Sequence, residues 1–151
     1  MTPTDRGAGG GAGPEPELRW EATFPPDVSA VRRCRQEAAH ALRGARVPPL
    51  VIDDAITVLG ELAGNAVRHA GTEFGVVVVV GEGVLRLEVS DLDTRPPALL
   101  GLDSESTSGR GLHLVALIAG DWGWQTSESD AGVSGKRVWA ELSLDAGRTG
   151  D

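Results

Sequence analysis

Glu61 and Asn65 lie four residues apart in the stretch Glu61-Leu62-Ala63-Gly64-Asn65-Ala66-Val67-Arg68-His69-Ala70. Helical spacing stacks a carboxylate and a carboxamide one turn apart on one face. Asp54, Thr57 and Arg68 fall on the same stripe, beside an apolar one formed by Ile52, Ala55, Ile56, Leu59, Leu62, Ala63, Ala66 and Ala70. Polar groups at that boundary could reach a ligand at the edge of the core. An ordinary solvated face of an amphipathic helix would show the same stripe, and on this helix alone that is the better reading.

Two further places carry possible chemistry. Asp91 closes an apolar stretch where the chain turns into a long connection. Its carboxylate is an acceptor that suits the exocyclic amine of adenine and would reject the 6-oxo group of guanine. Asp also commonly caps the turn that follows it, and on its own the residue fits either role. Gly109-Arg110-Gly111 precedes an apolar helical run. Glycines allow close backbone approach, and the free amides of a helix start attract an anion such as phosphate. Two glycines before a helix are a weak signal. The third glycine of a dinucleotide fingerprint is replaced by Leu114, and Gly135-Lys136 lacks the rest of a P-loop, with Asp130 and Arg137 at the required Gly and Ser/Thr places. His40, His69 and His113 have no metal-ligand spacing, and Ser134 lies in no nucleophile elbow.

The elements that must position these residues follow from periodicity. Leu18 to Phe24 alternates as a half-buried strand, stopped by Pro25-Pro26. Asp27 or Ser29 can cap a helix to Gly44 with Val31, Cys34, Ala38, Ala41 and Leu42 inward, leaving Arg32, Arg33 and Arg35 on the wet side. The Glu61–Asn65 helix starts after Pro48-Pro49 and runs to Ala70. Phe74–Val80, with five successive valines, reads as a strand covered on both faces. A turn at Gly81-Glu82-Gly83 makes a hairpin with Val84–Asp91. Residues 94–108 show no period, as expected of a functional loop or lid. A helix is expected at 112–119 and a strand at 121–127, with Trp122 and Trp124 on one side. A turn at 132–135 leads into a last strand at 136–144. The order β-α-α-β-β-α-β-β is not a regular strand–helix alternation. It predicts an α+β, two-layer sandwich: a mixed, mostly antiparallel sheet with helices on one face.

Composition sets the outer limits. A chain of 151 residues with 40% hydrophobic and 24% charged content suits one globular domain burying roughly two-thirds of its unfolded surface. Residues 1–17 are expected to be a disordered tail, 18–144 the domain, and 145–151 a frayed end. A net charge of −8 opposes a role in coating nucleic acid. No apolar stretch reaches the length of a membrane span, and the lone Cys34 allows no internal disulfide, so a cytoplasmic setting is expected.

Taken in order, Glu61-x-x-x-Asn65, Asp91, a lid, Gly109-x-Gly111 and a closing hairpin resemble the GHKL ATPase superfamily with its Bergerat-type fold. The phrases ELAGNAVRHAG, VSDLDTRPP, GRGLHLVALIAGDWG and GKRVWAEL are similar to those of small stand-alone members related to anti-sigma-factor serine/threonine kinases. The resemblance covers about 18–144. It implies ATP and Mg²⁺ as ligands: Asn65 on the metal, Glu61 as general base, Asp91 on adenine, and Gly109, Arg110, Gly111 and Leu112 around the phosphates, with Arg68 adding charge. It implies a sigma factor, an anti-anti-sigma antagonist, or both as partners, no direct nucleic-acid or membrane contact, and a homodimer as one mode of assembly. A non-catalytic, ATP-dependent binding module and a detached histidine-kinase catalytic domain are the other roles such a chain could fill. Two departures stand out. Asp93 and Arg95 occupy the two glycine places of the family's D-x-G-x-G box, and Arg137 replaces a Thr common after Gly-Lys.

Overall fold

The computed structural model describes residues 15–97, 109–128, 132 and 134–145, with side chains in the third helix from Leu114 onward. Residues 1–14, most of the expected lid (98–108) and the C-terminal end from 146 lie outside the described residues. Strand β1 spans Leu18–Phe24 and β3 Val84–Asp91, both with the predicted ends, while β2 (Phe74–Gly81) runs one residue further. Helix α1 covers Val28–Gly44, α2 Pro49–Asn65 and α3 Gly109–Ile118. Strands β4 (Asp121–Glu128) and β5 (Ser134–Ser143) finish the domain. All five strands form one sheet in the order β1-β2-β3-β5-β4, and every neighbouring pair is antiparallel. The sheet is therefore wholly antiparallel where a mixed one was allowed.

Local chemistry explains the ends of the elements. Asp27 Oδ1 accepts the Ala30 amide at 2.8 Å and the Ser29 hydroxyl at 2.7 Å, so the N-terminus of α1 is capped as its sequence suggests. Pro49 begins α2, where its missing N–H costs nothing. The β2–β3 loop is only Glu82-Gly83, with φ of 55° and 81°. Both residues are left-handed, as a two-residue turn of this hand requires.

Alternation sorts the sheet into two faces. Phe74, Val76, Val78 and Val80 of β2 and Leu85, Leu87 and Val89 of β3 are buried toward the helices. Val51, Val58, Leu59 and Leu62 of α2 and Cys34, Ala38 and Leu42 of α1 pack against them. Burying each large aliphatic chain of this set contributes roughly 1.5–3 kcal/mol. Burial pushes the Cys34 thiol up to about 12, so it behaves as a small apolar side chain.

The opposite face corrects the expectation for the valine run. Val77 and Val79 are only half-buried, and among the described residues no helix covers them. Their neighbours are long polar chains: Arg86 bonds Glu88 at 3.1 Å and Glu141 at 2.9 Å, and its guanidinium lies 4.5 Å from the Trp139 ring centre. Gly123 makes room for that indole, since a Cβ there would come within 2.8 Å of it. Arg32, Arg33 and Arg35 are exposed, as predicted. No helix among the described residues is long and apolar enough to cross a membrane.

Candidate functional site

The Glu61–Asn65 helix does not run unbroken to Ala70. After Asn65 the backbone widens into one π turn, Ala66–Ala70, closed by a bond of 2.9 Å from the Gly71 amide to the Ala66 carbonyl. Gly71 ends it with φ 67°. Such turns recur at functional sites because they re-aim the residues that follow. Helix α2 packs on β3, β5, α1 and α3. Asn65 is 8% exposed, and no hydrogen bond reaches its carboxamide among the described residues. Its side-chain oxygen and nitrogen are not sealed from solvent, so water or a ligand can reach them although the residue is mostly buried. Glu61, one turn earlier, is half-buried, so it combines partial shelter with access.

His69 carries a second unpaired group. Its Nε2 is closed off from solvent and has no hydrogen-bond partner. Burial lowers its pKa, and the charges of Arg68, Lys136 and Arg95 lower it further, so the imidazole stays neutral near pH 7. Arg68, on the same turn, is exposed and folds its guanidinium back over Gly64.

At the end of β3, both functions weighed for Asp91 meet. Its Oδ1 caps the following turn by accepting the Asp93 amide at 2.9 Å. The same oxygen accepts Lys136 Nζ at 3.1 Å, with the two side chains 3% and 6% exposed. Lys136 also donates to the Asp93 carbonyl at 3.2 Å. Strand register places Lys136 directly opposite Asp91. The preceding Gly135 belongs to β5, not to the turn expected at 132–135, and its place is enforced: a Cβ there would lie 2.0 Å from the Asp91 carbonyl oxygen.

The two residues that stand at the family's glycine places bind each other. Arg95 Nε donates to both oxygens of Asp93, at 3.0 and 2.9 Å, and its Nη2 donates to the His69 carbonyl at 3.0 Å. The loop after Asp91 is thus fastened to the π turn that follows Asn65. Thr72 Oγ1 adds a bond of 3.1 Å from the Leu92 amide. Arg95 holds the Asp93 carboxyl well below the usual range, at about 2. Arg137 points to the bare sheet face, 3.9 Å from Glu88, so its departure from the family pattern lies away from the Asp91 carboxylate. An open hollow of about 480 Å³ lies on that bare face, over Gly75 and between Glu88, Ser90 and Arg137, and its lining includes Asp91 and Gly135.

Helix α3 begins at Gly109, so Gly109, Arg110 and Gly111 form its first turn and do not precede it. With Leu112 they supply the four amides that no helix can satisfy internally. Direct bonds join Asp91, Asp93, Lys136, Arg95 and the His69 backbone. None joins Glu61 or Asn65 to Asp91. Lys136 went unassigned from sequence, although pairing the apolar alternations of β3 and β5 side by side would have set it opposite Asp91.

Among the described residues, no three His, Cys, Asp or Glu side chains cluster as a ready-made metal site.

Comparison with known proteins identifies the family and the fold. The sensor protein kinase CarS of Pseudomonas aeruginosa is 35% identical over an alignment of 102 residues, a match that covers 61% of this chain but only 23% of CarS. The SiaB–SiaC complex of Pseudomonas aeruginosa contains a similar fold, with a TM-score of 0.59 and 14% identity over 82% of this chain and 89% of that one. So does the structure of the RsbU and RsbW domains of Rv1364c from Mycobacterium tuberculosis, with a TM-score of 0.58, 16% identity, and coverage of 83% and 32%. The family described as the histidine kinase-like ATPase domain matches residues 24–140, from the end of β1 into β5, and this chain belongs to that family.

Proposed function

We propose that the chain binds Mg-ATP in the cleft region of α2, the end of β3 and the start of α3. We further propose that it transfers the terminal phosphoryl group to a serine or threonine hydroxyl of a regulatory protein partner. The observation that carries this reading is the carboxamide of the mostly buried Asn65, unpaired among the described residues and one turn from the half-buried Glu61. A carboxamide oxygen suits a hard cation that brings its own phosphate oxygens. The first-turn amides of α3 suit phosphate, and Asp91 suits the base.

Bound Mg-ATP would supply an activated phosphoryl group and the cation that offsets its charge. Asn65 would hold the cation through its side-chain oxygen. Glu61 would orient the attacking hydroxyl and accept its proton as the new O–P bond forms. The partner class rests on the sequence resemblance to anti-sigma-factor kinases, and the SiaB–SiaC and RsbU–RsbW fold neighbours are in keeping with it. An anti-anti-sigma antagonist is the expected substrate. Phosphorylation would place about −1.5 to −2 charges at its docking surface and release it.

Isothermal titration with ATP, with and without Mg²⁺, tests the nucleotide reading. Saturable binding that needs the metal supports it, and no binding refutes it. Incubating the protein, together with the small partner that co-purifies with it, with labelled ATP tests transfer. Partner binding without label on its Ser or Thr would select a non-catalytic binding module instead.

A further inference from the structure

The nucleotide reading expects Asp91 to recognise the base alone, yet its carboxylate is shared with a buried lysine. Both hydrogen bonds to Asp91 go to Oδ1, from Lys136 and from the Asp93 amide. No bond occupies Oδ2 among the described residues, so that oxygen stays available as an acceptor. The Lys136 ammonium has three N–H donors and uses two, on Asp91 and on the Asp93 carbonyl. One ammonium donor and one carboxylate oxygen of the pair are thus left without a partner among the described residues.

The placement is built into the fold. Gly135 presses on the Asp91 carbonyl where no side chain would fit, and that contact delivers the next residue onto the carboxylate. A buried ion pair is a weak device for stability, because desolvation offsets most of its attraction. A role in recognition accounts better for a lysine held at this spot.

We propose that Lys136 is a base-reading residue that pairs with Asp91 to accept both 6-amino and 6-oxo purines, a proposal that rests on the nucleotide reading above. A lone carboxylate takes the adenine amine but repels the guanine oxygen. With Lys136 beside it, the amine finds Asp91 Oδ2 and the 6-oxo oxygen finds the spare ammonium donor. Discrimination between the two bases is thereby small.

Titration of the full chain with Mg-ATP, Mg-GTP and Mg-ITP tests this, followed by the same series on Lys136→Met and Lys136→Gln. The wild-type Kd values for ATP and GTP should lie within about tenfold of each other, the order of one hydrogen bond to a charged group. In Lys136→Met, GTP and ITP should weaken relative to ATP by a further tenfold or so, with Lys136→Gln in between because it keeps a donor without the charge. A wild-type preference for ATP above about tenfold, or a GTP:ATP ratio that neither variant moves, overturns the Lys136 assignment while leaving nucleotide binding intact. Should Lys136→Met fail to fold, the wild-type ratio and Lys136→Gln still decide. If wild-type protein binds no nucleotide, the parent reading falls and this one with it.

Discussion

Two polar residues one turn apart have different surroundings and should fail differently. Asn65 is buried without a partner, whereas Glu61 keeps access to solvent. Replacing Asn65 with Ala should abolish Mg-dependent nucleotide binding in titration calorimetry, because the only contribution assigned to it is ligation. Glu61→Gln should bind nucleotide with nearly wild-type affinity, while transfer to the partner falls by about 10²–10⁴-fold, the usual worth of a positioned general base. Transfer at the wild-type rate in Glu61→Gln would reduce Glu61 to part of a polar helix face. The sequence showed both residues but not their difference. Four-residue spacing reports a shared face, whereas burial depends on where β3, β5 and α3 sit against it.

Between elements, the contacts that hold the site are the ones periodicity could not reveal. Ordinary alternation fixed the ends of β1 and β3. It had nothing to say about the π turn, which is a change of backbone pairing, or about Gly135, whose importance is the space its missing Cβ leaves for Asp91. Gly135→Ala should therefore lower the thermal midpoint by an amount equivalent to about 1–3 kcal/mol, as other over-packed sites do, and should weaken nucleotide binding as well. Calorimetric melting of the variant checks the first effect. The Asp93–Arg95 fork has its own signature in pH. The Asp93 carboxyl titrates at about 2 in the fold and near 3.8 when unperturbed. A group whose folded pKa is depressed stabilises fully above its unfolded value and loses that contribution as pH falls through the folded one. The urea midpoint of wild type should thus exceed that of Asp93→Asn above about pH 4, and the difference should vanish near pH 2. A gap independent of pH across that interval would mean that the carboxylate does not stabilise the loop.

At the scale of the fold, the described residues form five antiparallel strands and three α-helices, with a polar sheet face that no described helix covers. That arrangement has a kinetic consequence. The β2–β3 hairpin closes through two residues, so its register from Phe74↔Asp91 to Gly81↔Val84 forms at little cost in loop entropy. Strand β1 is different. Leu18 pairs with Val80, and both α1 and α2 must be accommodated before that ladder can close. Non-local pairings of this kind come late, since chain entropy is lost before contacts compensate for it. Leu87→Ala, in the hairpin and against α2, is therefore expected to slow refolding. Ala22→Gly, in β1, should leave the refolding rate nearly unchanged and speed unfolding instead. Stopped-flow chevrons of the two variants measure this directly, and a slower folding limb for Ala22→Gly would place β1 in the nucleus. The order of events also bears on the site. Asp91 lies on the early hairpin and Lys136 on a strand that joins it from across the α3 and β4 segments, so the carboxylate is positioned first and its lysine is recruited afterwards.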